Sequence, residues 1–336
     1  MPLFNSQDIL VVGAGVLGLC TAAELARRGH AVTVVDTGGL NASAVAAGMI
    51  APAMESAIDD LSPEHAALLR RARDAWADFA AATGVRLDRD PAEWRGGNVE
   101  VLAARLAALG FEHEFDCEAG RLTTHEDWKV DPAQALAALT QGVRRLEGRA
   151  TGLARLGARW RVETTAGPVE ADQVVLATGA GAAPDSLPEA VAGLLALITP
   201  IRGQIGVVSE RLTDHVVRGP GAYVAPMGQG CVIGATMEPG ERSLTPDPER
   251  CAQMLDAAWV VLDQTPRPLQ IEWRAGVRGA TPDGLPMAGA VGHGLHLAVG
   301  PRRNGWLLGP LVAGVVADEV EGRSSKEPTL APRRFI

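Results

Sequence analysis

Gly13, Gly15 and Gly18 stand in the spacing GxGxxG, and an acid, Asp36, follows 18 positions after the last of them. Glycines so spaced each have a physical task. The first permits a tight turn, the second lets the backbone approach a pyrophosphate, and the third lets a helix pack close to a strand. Ala14 and Val16 fill the positions between. A diphosphate then rests on free N–H groups and the positive end of the helix dipole, while Asp36 accepts hydrogen bonds from ribose hydroxyls and repels a ribose phosphate, which argues against NADP. A second chemistry is open to Arg278 and Tyr223, the chain's only tyrosine. A guanidinium is a fixed cation whose planar fork matches a carboxylate in two hydrogen bonds, and a phenol adds one donor. A surface arginine and a packed tyrosine are the alternatives at those positions. The four cysteines, Cys20, Cys117, Cys231 and Cys251, show neither CxxC nor metal-ligand spacing and read as buried thiols. That excludes a flavin disulfide reductase, which needs a redox pair soon after the first dinucleotide unit. The seven histidines give no metal signal.

Elements must position these groups. Ile9 to Val12 reads as a buried parallel strand, Leu17 to Arg28 as a helix and Ala31 to Val35 as the next strand. The small-residue stretch from Thr37 to Pro52 predicts a loop and a short helix capped by Ser43 and stopped at Pro52. Pro63 to Thr83 is amphipathic, with Trp76 and Phe79 on its core face and Arg70, Arg71 and Arg73 on a solvated one. Further helices are expected over Glu100–Leu109, Ala133–Leu146, Pro248–Leu262 and Trp306–Glu319. Gln173 to Ala177 is a buried strand running into Thr178 and Gly179, where an α/β sheet presents its ligand edge. Thr199 to Met237, punctuated by glycines, reads as antiparallel sheet, joined by Leu269–Trp273. Leu295–Val299 is a last buried strand, and the tail after Gly322 reads as loose.

A chain of 336 residues, 47% hydrophobic and 21% charged, has room for about two domains. Its net charge of −9 repels nucleic acid. No apolar run reaches the roughly 20 residues of a membrane span, and Met1 to Gln7 lacks a signal-peptide pattern, so the expected compartment is the cytoplasm.

Three pieces together resemble the flavin amine oxidases of the glycine oxidase and D-amino acid oxidase family. They are the GxGxxG unit with its acid, the loop Ser43 to Pro52, and the C-terminal stretches Gly276–Pro286 and Gly300–Pro310. Tyr223-Val-Ala-Pro226 followed by Val232–Gly240 is similar to the substrate-domain signature of the glycine oxidases of thiamine biosynthesis. The resemblance implies an α/β fold: a discontinuous Rossmann-like FAD-binding domain of the glutathione-reductase type (1–85, 130–198, 277–325), an α+β substrate domain on an antiparallel sheet (86–129, 199–276), and a tail (326–336). It implies FAD on Gly13, Ala14, Gly15, Val16 and Gly18, with Asp36, Thr37 and Ala150 towards the adenosine. Ala46, Ala47, Gly48 and Met49 then lie against the isoalloxazine, as do Gly300, Asn304, Gly305, Trp306 and Leu307, and Ser43, Thr178 and Gly179 are further FAD contacts. Arg278 takes the place that holds a substrate carboxylate, helped by Tyr223; Arg303 lies beside the flavin and Met237 in the substrate pocket. Pro301-Arg302 replaces a His and an aromatic residue of the family, and Gly279 replaces a proline. No cysteine stands near Arg278 or Thr281, where related sarcosine oxidases attach flavin, so FAD is expected to be noncovalent. The implied reaction is oxidative deamination of a small amino acid such as glycine, sarcosine or a D-amino acid, by hydride transfer to flavin with oxygen or another carrier as electron acceptor. The imine formed hydrolyses to a 2-oxo acid. No metal, membrane or nucleic-acid partner is implied, and a homo-oligomer is compatible with it. An oxidase or dehydrogenase of a bulkier amine, an NAD dehydrogenase and a noncatalytic nucleotide-binding module stand as alternatives.

Overall fold

The computed structural model describes residues 6–336. The first five positions, part of the stretch without a signal pattern, lie outside the described residues. Strand Asp8–Val12 pairs in parallel with Ala31–Asp36 on one side and Gln173–Leu176 on the other. Arg144–Glu147, Leu295–Val299 and Met287–Gly292 complete a six-stranded sheet in which only the last pair is antiparallel. Alternate residues serve opposite faces. Ile9 and Val11 enter a core with the helices Val16–Arg27, Pro63–Thr83 and Gly305–Val320. Leu10 and Val12 enter another, closed by the three-stranded sheet Ala150–Leu156, Arg159–Thr164 and Val169–Ala171. Burial on both faces is why these strands read as continuous apolar runs.

A nine-stranded sheet carries the other half. Strand Ile271–Ala280 pairs along its whole length with Thr199–Val208, followed by Gly230–Gly234, Ala222–Met227 and Val216–Gly219. Its one face packs on helix Pro248–Leu262; the other, through Ile205, Val216, Ala225 and Val232, meets Val45 and Ala47. The sheet is antiparallel as expected except at one seam, where Val216–Gly219 runs parallel to Ala92–Arg95.

Five local expectations are corrected. The helix near Ser43 begins at Pro52 rather than ending there, spanning Pro52–Ile58; proline's missing N–H costs nothing in a first helical turn. The helix opened by Asp131, whose carboxylate accepts from the N–H groups of Ala133 and Gln134, stops at Leu139. Gly142 follows at φ 79°, and Arg144–Glu147 leaves as a strand. Arg70, Arg71 and Arg73 do not form one solvated face: Arg71 is exposed, pairing with Glu327 at 2.8 Å, but Arg70 donates to the Leu109 and Gly110 carbonyls and Arg73 is buried against Asp74 and Glu126. The tail is not loose, because Leu330 is fully buried and Arg334 binds Asp283 at 2.8 Å. Cys117 is exposed, while the other three cysteines are buried as expected. Among the described residues no helix is long and apolar enough to cross a membrane.

Candidate active site

The turn between Val12 and Val16 is shaped by what its glycines lack. Gly13 sits at φ 111°, and a side chain on Gly18 would strike the Gly13 carbonyl oxygen, so strand and helix could not close with anything larger. Gly15 faces open space apart from Ser43 Oγ, 3.4 Å from where a Cβ would stand. The Asp36 carboxylate accepts from the Ala14 N–H (2.8 Å) and the Gly38 N–H (2.8 Å), which fixes it at the strand end and leaves lone pairs for another donor. Ser43 caps a different helix from the one expected: its Oγ accepts from the Val16 N–H at 2.9 Å. Trp306 Nε1 donates to the Ser43 carbonyl at 3.1 Å, which locks the loop onto the C-terminal helix.

A cleft of about 110 Å³ is bordered by the starts of both helices, Gly15 to Leu17 and Gly305 to Trp306, and by Ser43, Ala46 and Gly179. Two helix N-termini converging on one cleft make it favourable for an anion. The glycine turn, the seated acid and this cleft fit the diphosphate, ribose and flat ring of FAD. Thr178 lines an adjoining hollow with Gly179. Thr37 is exposed beyond the strand end, Ala150 and Leu307 are buried in the two cores, and Gly300 is wedged beneath Thr281 and Ile198. Asn304 is the residue on which the C-terminal helix starts.

Beyond the cleft lies a cavity of about 360 Å³. Ala46, Arg278, Arg303 and Trp306 border both spaces and form their common wall, and Ala47, Gly48, Met49, Tyr223 and Met237 line the outer one. Strand register explains the assembly. Arg278 and Gly203 lie on one face of the sheet, and the guanidinium covers Gly203, where a Cβ could not fit; the Tyr223 ring likewise covers Gly234. Arg278 donates to the Thr236 carbonyl at 3.2 Å and touches Met237 Sδ at 3.3 Å. It has no carboxylate partner among the described residues, and burial pulls its pKa down. Burial pushes the Tyr223 hydroxyl up, so it stays a donor.

Two residues that sequence reasoning missed complete the chamber. Glu55 binds Arg218 at 2.7 Å and also pairs with Arg303. Burial would raise its carboxyl, but the two guanidinium groups outweigh burial and hold it at about 2. Arg303 is therefore tied to Glu55 and, at 2.9 Å, to Asp59, instead of standing free towards a ligand. Arg218 sits directly across the strand pair from Tyr223. A signal for both was present. Glu55 is the lone charge in the apolar run from Ala42 to Ile58, and a hairpin closed at Gly219-Pro-Gly-Ala222 must set Arg218 opposite Tyr223.

A cleft at the glycine turn that shares an arginine-bearing wall with a second cavity is the arrangement of a flavin-dependent oxidoreductase. The signature of the DAO family, FAD dependent oxidoreductase, matches residues 8–319, and the chain belongs to that family. It is 30% identical to the glycine oxidase of Geobacillus kaustophilus over 96% of this chain and 94% of that protein. The glycine oxidase of Pseudomonas aeruginosa is 29% identical over 98% of each. The crystal structure of glycine oxidase from Geobacillus kaustophilus superposes with a TM-score of 0.83 at 26% identity, covering 99% of this chain and 100% of the other.

Proposed function

We propose that this FAD-dependent enzyme oxidises a small amino acid (glycine, sarcosine or a D-amino acid) at the α-carbon, with oxygen as electron acceptor, and yields a 2-oxo acid and an amine or ammonia. The observation that carries this reading is the half-buried Arg278, a cation without a carboxylate partner among the described residues, on the wall between cleft and chamber. Nearly every buried charge has a partner; a substrate carboxylate supplies the missing one. The glycine oxidases to which the chain is similar point to the same substrate class.

The turn Gly13 to Gly18, Asp36, Ser43, Gly179 and the start of the C-terminal helix would hold FAD. When bound, FAD supplies the two-electron acceptor for the substrate C–H bond. Arg278 fixes the carboxylate with two donors and Tyr223 adds a third, which leaves the α-carbon one orientation to present. Positive charge from the arginines disfavours an ammonium beside them, so the amine is held neutral with its lone pair available. Ala46, Ala47 and Trp306 form an apolar flank that limits water. The imine product leaves to react with water.

Tyr223→Phe removes one neutral donor to a charged group and is expected to cost about 1.5–3 kcal/mol in kcat/KM. Steady-state oxidation of glycine, sarcosine and D-alanine measures it; an unchanged kcat/KM removes Tyr223 from the site. FAD bound without a covalent link should pass wholly into the supernatant on acid precipitation. Asp36→Arg should weaken FAD binding by roughly 10- to 150-fold, the worth of a hydrogen bond to a charged group. Flavin-to-protein absorbance after dialysis reads this out, and full flavin content in the variant would place the ribose elsewhere.

A further inference from the structure

The chamber is lined by more arginines than the α-carboxylate on Arg278 engages. Arg218, Arg278 and Arg303 line it; Glu55 is shared by Arg218 and Arg303, and Asp59 also binds Arg303. Asp127 lies near Arg218, but burial pushes it up to about 7, so at neutral pH it is only about half ionised. Its two oxygens accept from the N–H groups of Ala53 and Met54, at 2.8 and 3.1 Å.

Arg218 has a donor to spare there. Its side chain is 11% exposed, one terminal nitrogen donates to Glu55 at 2.7 Å, and the other, Nη1, is buried without a hydrogen-bond partner. Leaving such a donor unmet costs about 1–3 kcal/mol, and more on a charged group. The residue lines the same cavity as Arg278 and shares a sheet face with it. The head of Arg278 lies over strand Thr199–Val208, and Arg218 rises from Val216–Gly219, three strand spacings away, about 14 Å between backbones. Tyr223 stands between them.

We propose that Arg218 is a second anion-binding group of this chamber and that the substrate is an amino acid carrying a second carboxylate, directed to Arg218 Nη1 while the α-carboxylate meets Arg278. This rests on the assignment of the α-carboxylate to Arg278. Glu55 serves it as a positioning residue, since it holds the Arg218 side chain against the chamber wall.

The test uses FAD-loaded protein and the unreactive ligands acetate, malonate, succinate and glutarate. Dissociation constants come from the change each causes in flavin absorbance and, independently, from calorimetry. At least one dicarboxylate should bind the wild type about 10- to 150-fold tighter than acetate, the equivalent of one added charge-assisted hydrogen bond. Arg218→Gln should erase that preference and Arg218→Lys restore part of it, whereas Arg278→Ala should weaken acetate and dicarboxylates together. If acetate binds the wild type as tightly as every dicarboxylate, or if Arg218→Gln keeps the preference, the second anion site is wrong; the wild-type series decides this even if a variant fails to fold. If acetate is indifferent to Arg278→Ala, the α-carboxylate assignment fails instead.

Discussion

Replacing Arg278 by alanine should lower kcat/KM for the amino-acid substrate by about 30-fold to several thousandfold. A substrate carboxylate in a water-poor chamber loses its matched cation, and removing one partner of a buried charge pair costs about 2–5 kcal/mol. The loss belongs to Arg278 more than to its neighbours, because Arg218 and Arg303 already spend donors on Glu55, whereas Arg278 meets only a carbonyl and a thioether. Arg278→Lys should rescue little, since a point charge cannot reproduce a two-pronged fork. The measurement is steady-state oxidation of glycine, sarcosine, D-alanine and the carboxylate-free methylamine by wild type and both variants. Near wild-type activity of Arg278→Ala on the amino acids, or a wild-type preference for methylamine, would direct the search to uncharged amines.

The nucleotide half of this protein was legible because its signals are local. Strand, glycine turn, helix and acid fall within Asp8 to Asp36, and each residue type answers to a neighbour inside that one stretch. Arg278 and Tyr223 could be singled out through family resemblance, but their meeting depends on the register of Ile271–Ala280 on Thr199–Val208 and of Ala222–Met227 on Gly230–Gly234, which no periodicity in one segment encodes. The ion pairs are harder still. Glu55 and Arg218 stand 163 positions apart, Glu55 and Arg303 248 apart, so each alone reads as an ordinary charge. The same holds for the tail, whose polar and proline-rich residues look loose until Arg334 finds Asp283. From Ser43 to Pro52 the sequence reads Ser43 as the cap of a helix that follows it, whereas its Oγ meets the Val16 N–H and its carbonyl meets Trp306.

Glu55→Gln should be the most costly substitution for stability in the chamber. The carboxylate is 6% exposed and compensates Arg218 and Arg303 together; an amide of the same shape leaves both cations underbalanced, at a cost of about 3–5 kcal/mol. The pH dependence carries a sign that separates this from a packing defect. The folded-state pKa of Glu55, about 2, lies below its ordinary 4.5, so its contribution is present above the unfolded value and is lost as pH falls through the folded one. The shift corresponds to about 3 kcal/mol at neutral pH, with more than half gone by about pH 3. Urea unfolding of wild type and Glu55→Gln at steps from pH 7 down to 3 measures the difference between them, which should be constant above about pH 5.5 and narrow below it. A protonated Glu55 is nearly an amide in charge, so the two proteins converge on acidification. A gap that stays the same width at pH 3 would mean that Glu55 stabilises the chamber by shape and hydrogen bonding rather than by charge, and a gap under about 1 kcal/mol at pH 7 would mean that water, not Glu55, balances the arginines.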